Sequence, residues 1–126
     1  MNSAADFSAI HSTLELYLDG LYHSDTQRLA KVFHPQAVYA TAVGEQPIVW
    51  RMEQYFPAVD ARPAPAASGQ ARIDRVLSIE LIGPVTALVK LQCAIAPRHF
   101  IDLLTLLRVD GRWQIVSKVF HYDVRN

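Results

Sequence analysis

The sequence predicts an α+β fold in which N-terminal helices pack on one side of a curved antiparallel sheet, and three observations carry that prediction. Apolar residues recur at spacings of three and four near the start of the chain, the signature of an amphipathic helix. The second half alternates apolar with polar residues in runs of strand length. Between the last two runs stands Asp110-Gly111, a dipeptide that supplies the positive φ angles of a tight hairpin turn. Helices first and a meander last argue for segregated layers rather than alternating βαβ units.

With 126 residues, the chain is expected to form one domain over 1–126, large enough to bury roughly two-thirds of its unfolded surface in a single core. Twelve basic residues against twelve acidic ones leave no net charge to draw phosphate backbones or anionic lipid, so nucleic-acid and membrane partners are not expected. The opening MNSAADFSAI lacks a basic segment followed by an apolar one, and no apolar run approaches membrane-spanning length. The expectation is a cytoplasmic protein. Cys93, the single cysteine, lies in an apolar alternating run and reads as a small core residue rather than a nucleophile.

From Ala5 to His23, the residues Phe7, Ile10, Leu14, Tyr17, Leu18 and Leu21 form one helical stripe, opened by Ser3 and Asp6 in the manner of a capping box. Gly20 weakens the last turns. Ser24-Asp25 supplies an N-cap for a second helix, Thr26 to Val32, which His34-Pro35 terminates. A short strand over Gln36 to Thr41 and a turn at Gly44-Glu45-Gln46-Pro47 lead into Ile48-Val49. Trp50 to Phe56 then reads as a helix of about two turns with Pro57 beyond its end. Val59 to Gln70, rich in proline and alanine and without periodicity, reads as a mobile lid or linker. Arg72 to Ile82 and Val85 to Ala96 are two long strands joined at Gly83-Pro84.

The final hairpin, Phe100 to Tyr122, fixes the candidate site. With Asp110 and Gly111 as the turn, Val109 faces Arg112, Leu106 faces Ile115, Asp102 faces Val119 and Phe100 faces His121. Asp102 and His121 then share a face as diagonal neighbours, roughly 7–8 Å apart at the backbone. The opposite face carries Ile101, Leu103, Val116, Lys118 and Phe120, and Leu88 joins it from the preceding strand. Because both faces are apolar, both are expected to be covered, one by helices and the other by a second copy of the chain. A single β-bulge would invert this assignment.

The order of elements resembles the nuclear transport factor 2-like fold, a cone whose mouth lies between helices and a concave sheet face. Tyr17-Leu18-Asp19-Gly20-Leu21, Phe33-His34-Pro35-Gln36-Ala37, Asp102 to Leu107, Asp110 to Ile115 and Lys118-Val119-Phe120-His121 are similar to the lumazine-binding branch of that superfamily. The resemblance implies a small-molecule pocket and a pteridine-like or other flat metabolite. It does not imply a reaction, since one fold hosts many functions.

Two functional readings follow. In the first, the chain is a homodimeric small-molecule-binding protein whose largely apolar pocket is lined by Tyr17, His34, Tyr39, Trp50, Tyr55 and Phe56. The second is a cofactor-independent isomerase, dehydratase or cyclase. Asp102 would orient His121 for proton transfer next to a carbonyl, with Tyr17 as the hydrogen-bond donor to the developing oxyanion, as the resemblance implies for this fold. Each residue also has a structural reading: Asp102 and His121 as a satisfied buried pair, His34-Pro35 as a helix-ending corner, and the aromatics as core. The five histidines are dispersed without metal-ligand spacing, and no glycine-rich phosphate loop occurs, so no metal or cofactor is expected.

Overall fold

A computed structural model describes residues 3–125. Helices α1 (Ser3–Tyr22) and α2 (Thr26–Val32) precede strands β1 (Phe33–Thr41) and β2 (Ile48–Arg51) and helix α3 (Met52–Ala61). Four more strands follow: β3 (Asp74–Leu81), β4 (Thr86–Ile95), β5 (Arg98–Val109) and β6 (Arg112–Val124). The six strands form one sheet in the order β2-β1-β6-β5-β4-β3, antiparallel except where β1 runs parallel to β6. The stripe of α1 lies in the core from Ile10 onward, with Ile10, Leu14 and Tyr17 almost wholly buried against inward residues of the sheet, whereas Phe7 in the first turns is exposed. Asp25 caps α2 by accepting from the backbone N–H groups of Gln27 and Arg28. Ser3 is already helical, so any cap for α1 falls outside the described residues.

Several boundaries differ from the sequence reading. Strand β1 starts at Phe33 and runs through His34-Pro35, because its ladder with β6 skips from Phe33 to Val38 and so asks no N–H of Pro35. Trp50 belongs to β2, opposite Tyr39. Helix α3 continues through Pro57 to Ala61, anchored by buried Tyr55 and Val59. The expected lid is tied down: a 3-10 turn at Pro65–Ser68 buries Pro65, the Gln70 side-chain amide donates to Ala94 O and accepts from the Ala96 N–H, and the Gln70 backbone carbonyl accepts from the Tyr22 hydroxyl.

The largest correction lies in the final hairpin. Pairing follows the expected register from Val109/Arg112 to Leu106/Ile115, and Asp110 and Gly111 both have positive φ. Val116 is then an extra residue, and Thr105 pairs with Ser117, Asp102 with Phe120 and Phe100 with Tyr122. Every β6 residue beyond the bulge changes face. Phe120 and Tyr122 thereby turn inward and cluster with Phe100, at ring distances of 5.8 and 5.4 Å, which a regular strand would have placed outside. Lys118 turns inward with them. His121 goes outward, beside Asp123 at 3.0 Å, with 61% of its side chain exposed. The Asp102–His121 pair therefore does not form, and Lys118 and Phe120 do not belong to the outer face.

A second bulge acts in β3, where the register shifts between Val76 and Ser78. It keeps Val76, Ile79 and Leu81 all packed against the core although their parity alternates.

Candidate functional site

Asp102 projects from the middle of β5 into the core and is 0% exposed. Its register partners are Leu91 on β4 and Phe120 on β6, so apolar walls flank it on both sides. The Tyr17 hydroxyl, delivered by the inward stripe of α1, donates to Asp102 Oδ2 at 2.6 Å. Lys118, 4% exposed, brings its Nζ to 3.9 Å from the same oxygen and donates to the Tyr55 hydroxyl at 3.5 Å. Asp102 Oδ1 is buried with no hydrogen-bond partner among the described residues. One lone-pair-bearing oxygen of a buried carboxylate is thus uncommitted, an arrangement that is costly unless something uses it.

Rings enclose the ammonium. Lys118 Nζ lies 5.2 Å from the ring centre of Tyr17, 5.5 Å from those of Tyr39 and Tyr55, and 5.3 Å from that of Phe120. Their negative faces favour a cation at this distance. Burial works against the charge, but the Asp102 carboxylate is the largest of the influences that oppose it, and the net effect holds Lys118 above the ordinary lysine range. Burial, and after it the Asp102 charge, raises the Tyr17 hydroxyl well above its usual 10.0. At neutral pH Tyr17 is therefore a neutral phenol donor and Lys118 an ammonium.

The other expected site residues divide into two groups. Tyr39, Trp50 and Tyr55 form a stack, with Tyr39 4.2 Å from Tyr55 and 5.5 Å from Trp50, that runs from the sheet edge to the ammonium. His34 and Phe56 line a surface cleft of about 280 Å³ with Phe33 and Met52, and the Phe56 ring meets the stack at Tyr55, 5.8 Å away. The His34 Nδ1 accepts from the backbone N–H of Gln36 at 3.0 Å, the local bond of a strand-entry corner. The sequence reading missed Lys118 as a member of the centre, having placed it on the outer face. Parity in a regular register puts it outside; the contrary signal is that Lys118 alternates with Phe120 and Tyr122, and two aromatics argue for the inside more strongly than one histidine does. Among the described residues, no group of three or more His, Cys, Asp or Glu gathers to hold a metal ion, and no helix is long and apolar enough to cross a membrane.

A cover of three helices, a curved sheet and a polar centre deep between them define a nuclear transport factor 2-like domain. Solved structures share the fold: an NTF-2 like protein of unknown function from Silicibacter pomeroyi superposes with a TM-score of 0.86 at 22% identity, covering 98% of this chain and 100% of that one. A similar protein from Shewanella baltica gives 0.86 at 22% identity, covering 98% of each. The chain belongs to the family described as "Putative lumazine-binding", whose model matches residues 5–121. It is also 28% identical over 122 residues to a protein from a Cladobotryum species named aldolase FrzH, spanning 94% of this chain and 93% of that one.

Proposed function

We propose that the cone takes up a small, largely apolar carbonyl compound and that Asp102 and Lys118 act on it by proton transfer. The observation that carries this reading is the uncommitted Oδ1 of a wholly buried carboxylate beside a buried ammonium. Asp102 Oδ1 would remove a proton from the carbon next to the carbonyl. The C–H electron pair moves into the carbonyl, and the enolate oxygen is held by the Lys118 ammonium and the Tyr55 hydroxyl. Return of the proton to another carbon is isomerisation, whereas attack of the enolate carbon on a second carbonyl is an aldol addition. The relative named an aldolase supports the second outcome. Tyr17, already bonded to Oδ2, would position the carboxylate rather than touch substrate.

The ammonium state of Lys118 favours this route over imine formation, which needs a free amine. Since Asp102 and Lys118 are 0% and 4% exposed, substrate entry requires side chains to move aside. That closure favours a second reading, binding without turnover of a flat metabolite against the Tyr39 and Trp50 rings. The two readings separate by proton NMR in deuterium oxide with a panel of aryl ketones. Enzyme-dependent deuterium uptake next to the carbonyl, lost in Asp102→Asn, supports proton transfer. Ligand binding with no uptake from any ketone supports the binding reading instead.

A homodimer through the outer sheet face is part of the proposal. Leu103 and Val119 pair directly across β5 and β6 at 40% and 46% exposure, with Leu107 beside them at 38%. Multi-angle light scattering should give twice the chain mass; a monomer at micromolar concentration refutes this face.

A further inference from the structure

One cleft of about 290 Å³ lies where α3 ends and β4 turns into β5. Arg62, the residue capping the C-terminus of α3, lines it together with Arg98 and Phe100. Among the described residues, no acidic side chain is in its wall. The Nε and Nη2 of Arg62 are buried and have no hydrogen-bond partner among the described residues. Arg98 is held over the Tyr122 ring, 4.7 Å from its centre, rather than by a carboxylate. In a chain of no net charge, two arginines with no ion pair among the described residues therefore line one concavity.

The cleft adjoins the proposed reaction centre. Phe100, in its wall, precedes Asp102 by two residues on the same face of β5, a separation of about 7 Å along the strand. Phe100 packs on Phe120, which is the register partner of Asp102 and one of the rings around Lys118. The charge of Arg62 also reaches inward, drawing down both the Tyr39 hydroxyl and the Cys93 thiol against the larger upward effect of burial.

We propose that the cleft at Arg62 and Arg98 binds a carboxylate of the substrate, so that the compound acted on is a keto acid with its carbonyl a few bonds from the acid group. Arg62 offers two parallel N–H donors of the fork geometry that matches a carboxylate, and Arg98 adds a second positive charge. Phe100 supplies the apolar passage between the acid end and Asp102. This inference rests on the proton-transfer reading, yet it stands on separate residues.

The probe is 3-benzoylpropionate, an aryl ketone whose carboxylate is two methylenes from the carbonyl, compared with its uncharged methyl ester by isothermal titration. Wild type should bind the acid roughly tenfold to a hundredfold more tightly than the ester. Arg62→Met should abolish that preference, Arg62→Lys should restore part of it, and Asp102→Asn should retain it. Equal affinity for acid and ester, a preference that survives Arg62→Met, or no binding of the acid at millimolar concentration each overturns the proposal. Circular dichroism guards against misfolding of the variants, and Arg98→Met, a change at an exposed residue, should weaken the acid alone. Deuterium uptake by the ester in wild type with no acid preference would leave Asp102 chemistry standing and refute only the carboxylate cleft. An acid preference with no uptake would do the reverse.

Discussion

Replacing Lys118 by methionine removes the ammonium while keeping the length and apolar bulk of the side chain. Two unit charges 3.9 Å apart attract by about 4 kcal/mol at an effective dielectric constant near 20. What the variant leaves behind matters as much. Asp102, 0% exposed, would keep only the Tyr17 hydroxyl as a partner, and removing one member of a buried pair typically costs about 3–5 kcal/mol. The loss of the surrounding ring contacts acts in the same direction. Urea unfolding of Lys118→Met should therefore show a loss of about 3–5 kcal/mol, a large part of the roughly 5–15 kcal/mol that holds a domain folded. Asp102→Asn/Lys118→Met, which removes both charges, should recover at least about 1–2 kcal/mol relative to the sum of the single losses. A single-variant loss below about 1 kcal/mol, or strict additivity in the double variant, would refute the claim that these two charges depend on each other.

Gly20→Ala should destabilise despite the better helix propensity of alanine. Its Cβ would come 2.6 Å from Leu29 Cδ2 and 2.9 Å from Cγ of that fully buried residue, an overpacking cost of about 1–3 kcal/mol readable in the urea midpoint. Cys93, whose thiol is pushed up to about 12 by burial first and the Asp102 charge second, should resist a disulfide reagent at pH 8 and react fully once unfolded. Labelling of the native chain within minutes would contradict this. Stability should fall as pH rises past about 10, where an unfolded Tyr17 begins to ionise while the folded one stays protonated, so that the unfolded state holds fewer protons. Lys118 acts in the same sense, its contribution being complete below its usual 10.5 and lost as pH climbs through its raised folded value. Tyr17→Phe should flatten the alkaline decline in unfolding midpoint; an unchanged slope would show that Tyr17 is not its source.

Local chemistry made much of this fold legible. The stripe of α1, the Asp25 cap, the Asp110-Gly111 turn and the meander each follow from short-range rules that tertiary structure respected. The Val116 bulge was not legible in that way. No glycine or proline marks it, and its cause is tertiary: it allows Phe120 and Tyr122 to join Phe100 inside and leaves His121 in water. One extra residue thus exchanged histidine for lysine in the centre while leaving Tyr17, Asp102 and Tyr55 where their helical and strand periodicities put them. Pro57 and the Val59 to Gln70 segment depart from their local signals for a related reason. Burial of Tyr55, Val59 and Pro65 outweighs the local preference of proline to end a helix or open a loop.

The measurement that bears most directly on the centre is deuterium uptake next to the ketone carbonyl, run side by side for wild type, Lys118→Met and His121→Ala. His121 lies exposed on the outer face, and Lys118 lies 3.9 Å from Asp102. Uptake should be abolished in Lys118→Met and unchanged in His121→Ala. Loss of uptake in His121→Ala with retention in Lys118→Met would contradict the account, because it would put the histidine, and the bulge-free register that carries it inward, at the site of chemistry.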